Sequence, residues 1–107
     1  MADTFQRIQT LVQAGEVRVS EHGYDEMAED GLGVRELLVG LSSAIIVEEY
    51  PNYGKVPCVL VLQRDRAEKP IHVVWGIPKG EASPAVLVTA YRPDPTRWST
   101  DFIRRKK

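Results

Sequence analysis

His22 and His72 are the only two histidines in this chain of 107 residues, and imidazole is the side chain best suited to moving protons near neutral pH. His72 sits in the first of two β-rich runs, 71–77 and 85–91, separated by a segment of Pro, Gly, Glu and Ser that reads as an antiparallel hairpin connection. Alternation along the first run puts Ile71, Val73, Trp75 and Ile77 on one face and His72, Val74 and Gly76 on the other. If Ile77 faces Pro84, then His72 stands opposite Thr89, Val74 stands opposite Leu87, and Tyr91 lies diagonally beside His72. An imidazole, a hydroxyl and a phenol then converge on one face, with Arg92 next in the chain.

The elements that must position these groups are legible in order. Asp3 or Thr4 caps a first helix that places Phe5, Ile8, Leu11 and Val12 on one side and ends at Gly15. Val17 to Ser20 is a short extended piece. Ser20 caps a second short helix, with Tyr24, Met27 and Ala28 inward and a stop at Gly31. Gly33 opens a third helix, in which Val34, Leu37, Leu38 and Leu41 follow the i, i+3, i+4, i+7 template; Ser42 and Ser43 break it. Strands follow over 44–50 and 58–62, with a turn at 51–54 and a charged loop at 64–69. Pro93, Asp94 and Pro95 stop the last strand, Trp98, Phe102 and Ile103 dock the tail, and 104–107 frays. The expected fold is one α+β domain over 1–107, its N-terminal helices packed on one face of a roughly four-stranded antiparallel sheet. The other sheet face, or its rim, is expected to be free to bind.

Composition narrows the classes. Hydrophobic residues make up 43% of the chain, enough for a single core. No apolar run reaches membrane-spanning length and the first twenty residues hold no apolar leader. With Cys58 as the single cysteine, a cytoplasmic protein is expected. The net charge of -1 hides a division: residues 15–50 carry -7 and residues 51–107 carry +6. The second half can present a basic patch to an anionic partner, or the two halves attract each other. His22, Cys58 and His72 lack the short spacing of a zinc site, and the glycines form no phosphate loop, so neither a metal nor another cofactor is expected.

Several short pieces together resemble a known bacterial family. Ser20-Glu21-His22, Met27, Glu29 and Gly31-Leu32 are similar to the opening of a family called domain of unknown function 4258. Tyr50-Pro51, His72-Val73, the run Thr89 to Pro95 and Trp98 match its later recurrent sequence, so the resemblance spans roughly residues 17–105. It implies a small relative of the RelE/ParE toxins, within the barnase, EndoU, colicin and RelE group of metal-independent ribonucleases. It also implies a cognate antitoxin, often a small zinc-finger protein. Where the family has two arginines in the short helix this chain has Glu26 and Asp30, and Gly23 replaces an alanine.

Under that resemblance the expected activity is an endoribonuclease acting by general acid–base catalysis. Such cleavage needs a base for the 2′-hydroxyl, an acid for the leaving oxygen and a cation for the phosphorane-like charge. His22 and His72 take the proton roles, in an order the sequence does not assign, and Tyr91 orients or stacks a base. Ser20, Thr89, Arg92 and Arg97 are the substrate contacts. Single-stranded RNA is the substrate expected. Each residue has a plainer role beside this one. His72 can hydrogen-bond a neighbouring loop, His22 can mark a helix start, Tyr91 can anchor the tail, and Thr89 can be a strand former. Carboxylates at Glu26 and Asp30 repel phosphate and favour the alternative: a non-catalytic binding module of the same fold, either an inactivated toxin or an interaction domain that can pair as a homodimer through a sheet edge.

Overall fold

The computed structural model describes residues 4–50 and 56–106. The turn expected at 51–54, Asp3 and Lys107 lie outside the described residues. Three helices, α1 (Thr4–Gln13), α2 (Glu21–Glu29) and α3 (Val34–Gly40), alternate with and precede five strands: β1 (Val17–Val19), β2 (Ile45–Tyr50), β3 (Cys58–Arg64), β4 (Pro70–Gly76) and β5 (Ala85–Tyr91). The strands form one sheet in the order β1-β5-β4-β3-β2.

The run β2 to β5 is the antiparallel meander expected, but the sheet has five strands and is mixed. Val17, Arg18 and Val19 pair in parallel with Ala85, Val86 and Leu87. A parallel neighbour requires a long crossover, here everything between Val19 and Ala85, and three residues carry no local sign of such a distant partner.

One sheet face holds the core. Val59, Val61, Ile71, Val73, Trp75, Leu87 and Ala90 pack against Ile8, Met27, Leu37 and Leu41 from the helices. Gln63 is buried with them and ties the two layers together: its Nε2 donates to the Leu37 carbonyl at 2.8 Å, and its Oε1 accepts from Trp75 Nε1 at 3.1 Å. One amide thus satisfies an orphan carbonyl near the end of α3 and a buried indole.

α2 does the work of a missing edge strand beyond the short β1. The Ser20 N–H donates to the Leu87 carbonyl at 3.1 Å, Ser20 Oγ donates to the Val88 carbonyl at 2.7 Å, and the Arg92 N–H donates to Asp30 Oδ2 at 2.8 Å. The helix and its two caps therefore run beside β5 from Leu87 to just past the strand's end. Gly23 permits this approach, because a Cβ there would lie 2.7 Å from the Val88 carbonyl oxygen. Gly23 and Met27, four residues apart, make the buried stripe. That rotates Tyr24 and Ala28 outward, against expectation, and leaves Tyr24 54% exposed.

The outer edge of β2 pairs with no other strand among the described residues. A bulge between Ile46 and Glu48 interrupts its ladder, a feature that discourages docking of a second copy by strand addition.

Candidate functional site at the end of the last strand

The β4–β5 register differs from the sequence reading by two residues at the site. His72 stands directly opposite Tyr91 and Val74 opposite Thr89; beyond a bulge, Trp75 pairs with Leu87. The bulge adds one residue on β5, which simple counting from the connection does not reveal. The shift is even at His72, so His72, Thr89 and Tyr91 still share a face. They meet on the side of the sheet opposite the helices.

That face is not open. The chain after β5 folds back over it, with Trp98 buried and Phe102 and Ile103 half-buried. His72 is 0% exposed. Its ring meets Trp98 edge-on with centroids 4.4 Å apart and Tyr91 at 5.7 Å. Its Nε2 lies 2.8 Å from the Phe102 carbonyl oxygen. A carbonyl only accepts, so Nε2 carries the hydrogen. Among the described residues Nδ1 is buried without a hydrogen-bond partner, as is Thr89 Oγ1. Burial holds the His72 pKa below the ordinary imidazole value; the Phe102 carbonyl opposes this, and the Arg105 cation adds to it. In this arrangement His72 cannot reach a substrate: the loop-bonding alternative is the geometry observed.

His22 sits elsewhere, on the exposed side of α2, paired with Glu26 one turn on. Ser20 is occupied as the α2 cap, accepting from the Gly23 N–H at 2.9 Å while it donates to Val88. Arg92 turns toward the β3–β4 loop, where its Nη2 reaches Asp65 Oδ2 at 2.7 Å. Asp65 also accepts from the Lys69 and Ala67 N–H groups, and these bonds with Arg92 hold its carboxyl below the usual range. Arg97 is the freest of the expected contacts, 82% exposed and only loosely beside Asp94 at 3.9 Å.

The structure adds residues that the sequence reading passed over. Glu48 Oε1 accepts from Arg105 Nη2 at 2.8 Å, Arg105 Nε at 3.1 Å and the Tyr50 hydroxyl at 3.0 Å. The Arg105 guanidinium lies 4.6 Å from the Trp98 ring centroid, a cation–π stack. The segment expected to fray is thus held through residue 106, with Ser99 N–H on the Arg104 carbonyl and Lys106 N–H on the Arg97 carbonyl, both at 2.8 Å. Glu48 and Arg105 are far apart in sequence, and no local pattern links them. The shared face of Glu48 and Tyr50, two apart on a strand, was the signal available.

Tyr91, Arg92, Asp94, Arg97, Trp98 and Arg105 line a recess of about 320 Å³. Beside Tyr50 a smaller apolar recess of about 250 Å³ is lined by Cys58, Val74, Val88 and Thr89. Burial pushes the Tyr91 phenol up, helped by Tyr50, so it is protonated at neutral pH and available as a donor. A larger depression of about 650 Å³ runs along α1, but Arg7 is its one charged lining residue. Among the described residues no three His, Cys, Asp or Glu side chains are placed to hold a metal ion, and no helix is long and apolar enough to cross a membrane.

The sequence model of the family described as domain of unknown function (DUF4258) matches residues 19–92, more than half of the chain. This chain belongs to that family. The DUF4258 match runs from the end of β1 to Arg92, so it takes in α2, the meander and the His72–Tyr91 pair. It stops short of the expected residue 105 and leaves α1 and the covering tail outside. No curated protein and no solved structure matches the chain.

Proposed function

We propose that this DUF4258 domain is the toxin-type member of a bacterial toxin–antitoxin pair and that it engages single-stranded RNA at the end of β5. The observation that carries the reading is the recess in which Arg97 and Arg105 accompany Tyr91 and Trp98. Guanidinium groups suit phosphate oxygens, and the half-buried Tyr91 ring suits an unstacked base. The acidic α2, with Glu26 and Asp30, borders the site and would turn the phosphate backbone toward the arginines. The resemblance to RelE/ParE toxins adds support, as does the +6 charge of residues 51–107. An antitoxin, of the small zinc-finger kind, would cover the recess, and the cytoplasm is the compartment of such a pair.

With the tail seated, this surface binds RNA and does not cleave it through a histidine pair, because His72 is enclosed. Metal-independent endoribonuclease activity is the second reading, and one cluster favours it. Glu48, Arg105 and the phenols of Tyr50 and Tyr91 bring a carboxylate base, a cation and proton donors to one place.

Titrating a fluorescent single-stranded RNA oligonucleotide across a salt series tests both. Affinity is expected to fall linearly on logarithmic axes, and Arg97→Ala to reduce the slope by roughly 0.7, one phosphate contact. Products ending in 2′,3′-cyclic phosphate would select the endoribonuclease. Failure to bind even at low salt would end the RNA reading.

A further inference from the structure

We infer that residues 93–106 form a latch, seated on the second sheet face by neutral His72 and released when that ring takes up a proton, and that release takes the arginine recess apart. The role of the recess rests on the RNA reading above; the latch does not.

Two of the latch's fastenings meet on the His72 ring, and a third holds its far end. Phe102 gives its carbonyl to Nε2, Trp98 lies against the ring, and Arg105 holds the far end through Glu48 while stacking on Trp98. Phe102 makes its contact from the left-handed backbone region, with φ at 61°, a conformation that a non-glycine residue leaves readily when its bond is lost. Trp98, Phe102 and Arg105 all lie beyond the DUF4258 match, which ends at Arg92.

Protonation has nowhere to be accommodated while the latch is seated. Nε2–H is already spent on Phe102, and a second N–H at Nδ1 would be buried with no acceptor among the described residues. The groups facing the ring from each packed element decide the balance. β3 offers Leu62, opposite His72; β5 offers the neutral Tyr91 phenol; the latch offers the Arg105 cation, which repels a second positive charge. β2 offers Glu48, which would attract it, but that carboxylate already serves Arg105 and Tyr50. Burial and Arg105 both hold the seated ring below its ordinary pKa. The released ring, in water, regains the ordinary value of about 6.5. Release therefore takes up a proton. Seating is unaffected by pH above that value and is lost progressively as pH falls below it.

Four of the six residues lining the recess, Asp94, Arg97, Trp98 and Arg105, belong to the latch. Trp98 and Arg105 leave together, and Arg97 loses the Lys106 bond that fixes its backbone. Acid conditions should then weaken RNA binding at this site, the reverse of what added positive charge alone would do.

The test is amide hydrogen exchange on the full chain without RNA, read as protection factors at Ser99, Phe102 and Lys106, with Val61 and Val73 as references in the sheet. Protection of the three tail amides is expected to fall by up to roughly tenfold per pH unit below about 6.5, while the references hold. His72→Gln keeps a donor for Phe102 but cannot take up a proton, and its tail protection should be flat with pH. Arg105→Ala should lower tail protection at every pH and leave the onset in place, since the onset belongs to the released ring. A pH-independent tail in the unaltered chain, or an unchanged fall in His72→Gln, would overturn the latch. RNA affinity measured separately at pH 7.5 decides the RNA reading, so the two failures are distinguishable.

Discussion

Trp75→Ala is expected to cost about 3–5 kcal/mol of folding stability. The ring is 0% exposed at the centre of the core face of β4, so the substitution removes a large apolar surface and leaves a cavity that the rigid sheet cannot close. It also strands Gln63 Oε1, which would lose its Trp75 donor while the same side chain stays fixed to the Leu37 carbonyl. Trp75→Phe keeps most of the ring volume and should cost less, chiefly the indole bond and part of the packing. Urea unfolding followed by far-ultraviolet circular dichroism measures both. A loss below about 1 kcal/mol for the alanine variant would mean that the core is not organised around this ring.

His72→Ala is the second large effect, and it separates a structural histidine from a chemical one. The variant loses a fully buried ring, its contacts with Trp98 and Tyr91, and the donor to Phe102. We expect a loss of about 2–3 kcal/mol, together with collapse of amide protection over residues 99–106. RNA affinity should drop with it, because the recess is framed by the same tail. If His72 instead served only to transfer protons, the variant would keep its stability within about 0.5 kcal/mol of the parent and lose cleavage alone. Urea midpoints and RNA titration, run on the same preparations, distinguish the two.

Local features were legible in the sequence. The limits of β5 follow from a β-branched run stopped by Pro93, and α3 from apolar residues at helical spacing. The cap at Ser20 and the stop at Gly31 bound α2 as read. What the sequence concealed was long-range or geometric. β1 finds its partner 68 positions away, from Val17 to Ala85, with only three residues to advertise it. Pairing nearest the connection is already one residue off the expected register, and the β5 bulge adds one more, which brings Tyr91 directly opposite His72. Periodicity turns Tyr24 inward, but the close approach at Gly23 sets which side of α2 meets β5.

The site was half visible for the same reason. His72, Thr89 and Tyr91 share a face, as strand alternation demanded, and the docking of Trp98 could be read from its place after Pro95. The consequence of that docking could not: the tail encloses the histidine that made the face look catalytic. Arg105 reads in sequence as part of a frayed basic end, 104–107, yet it pairs with Glu48 across the sheet. Charge and exposure alone do not predict an ion pair between residues so distant in sequence. Ser20 and Arg92 have the chemistry of substrate contacts, but each has a partner within the fold.

Titrating single-stranded RNA into the isotope-labelled chain, and following amide and side-chain resonances at neutral pH and low salt, addresses the central claim directly. The largest shifts should fall on Tyr91, Arg97, Trp98 and Arg105, and should fade as salt is raised. Shifts centred on α1 or the outer edge of β2, or none at all, would contradict it.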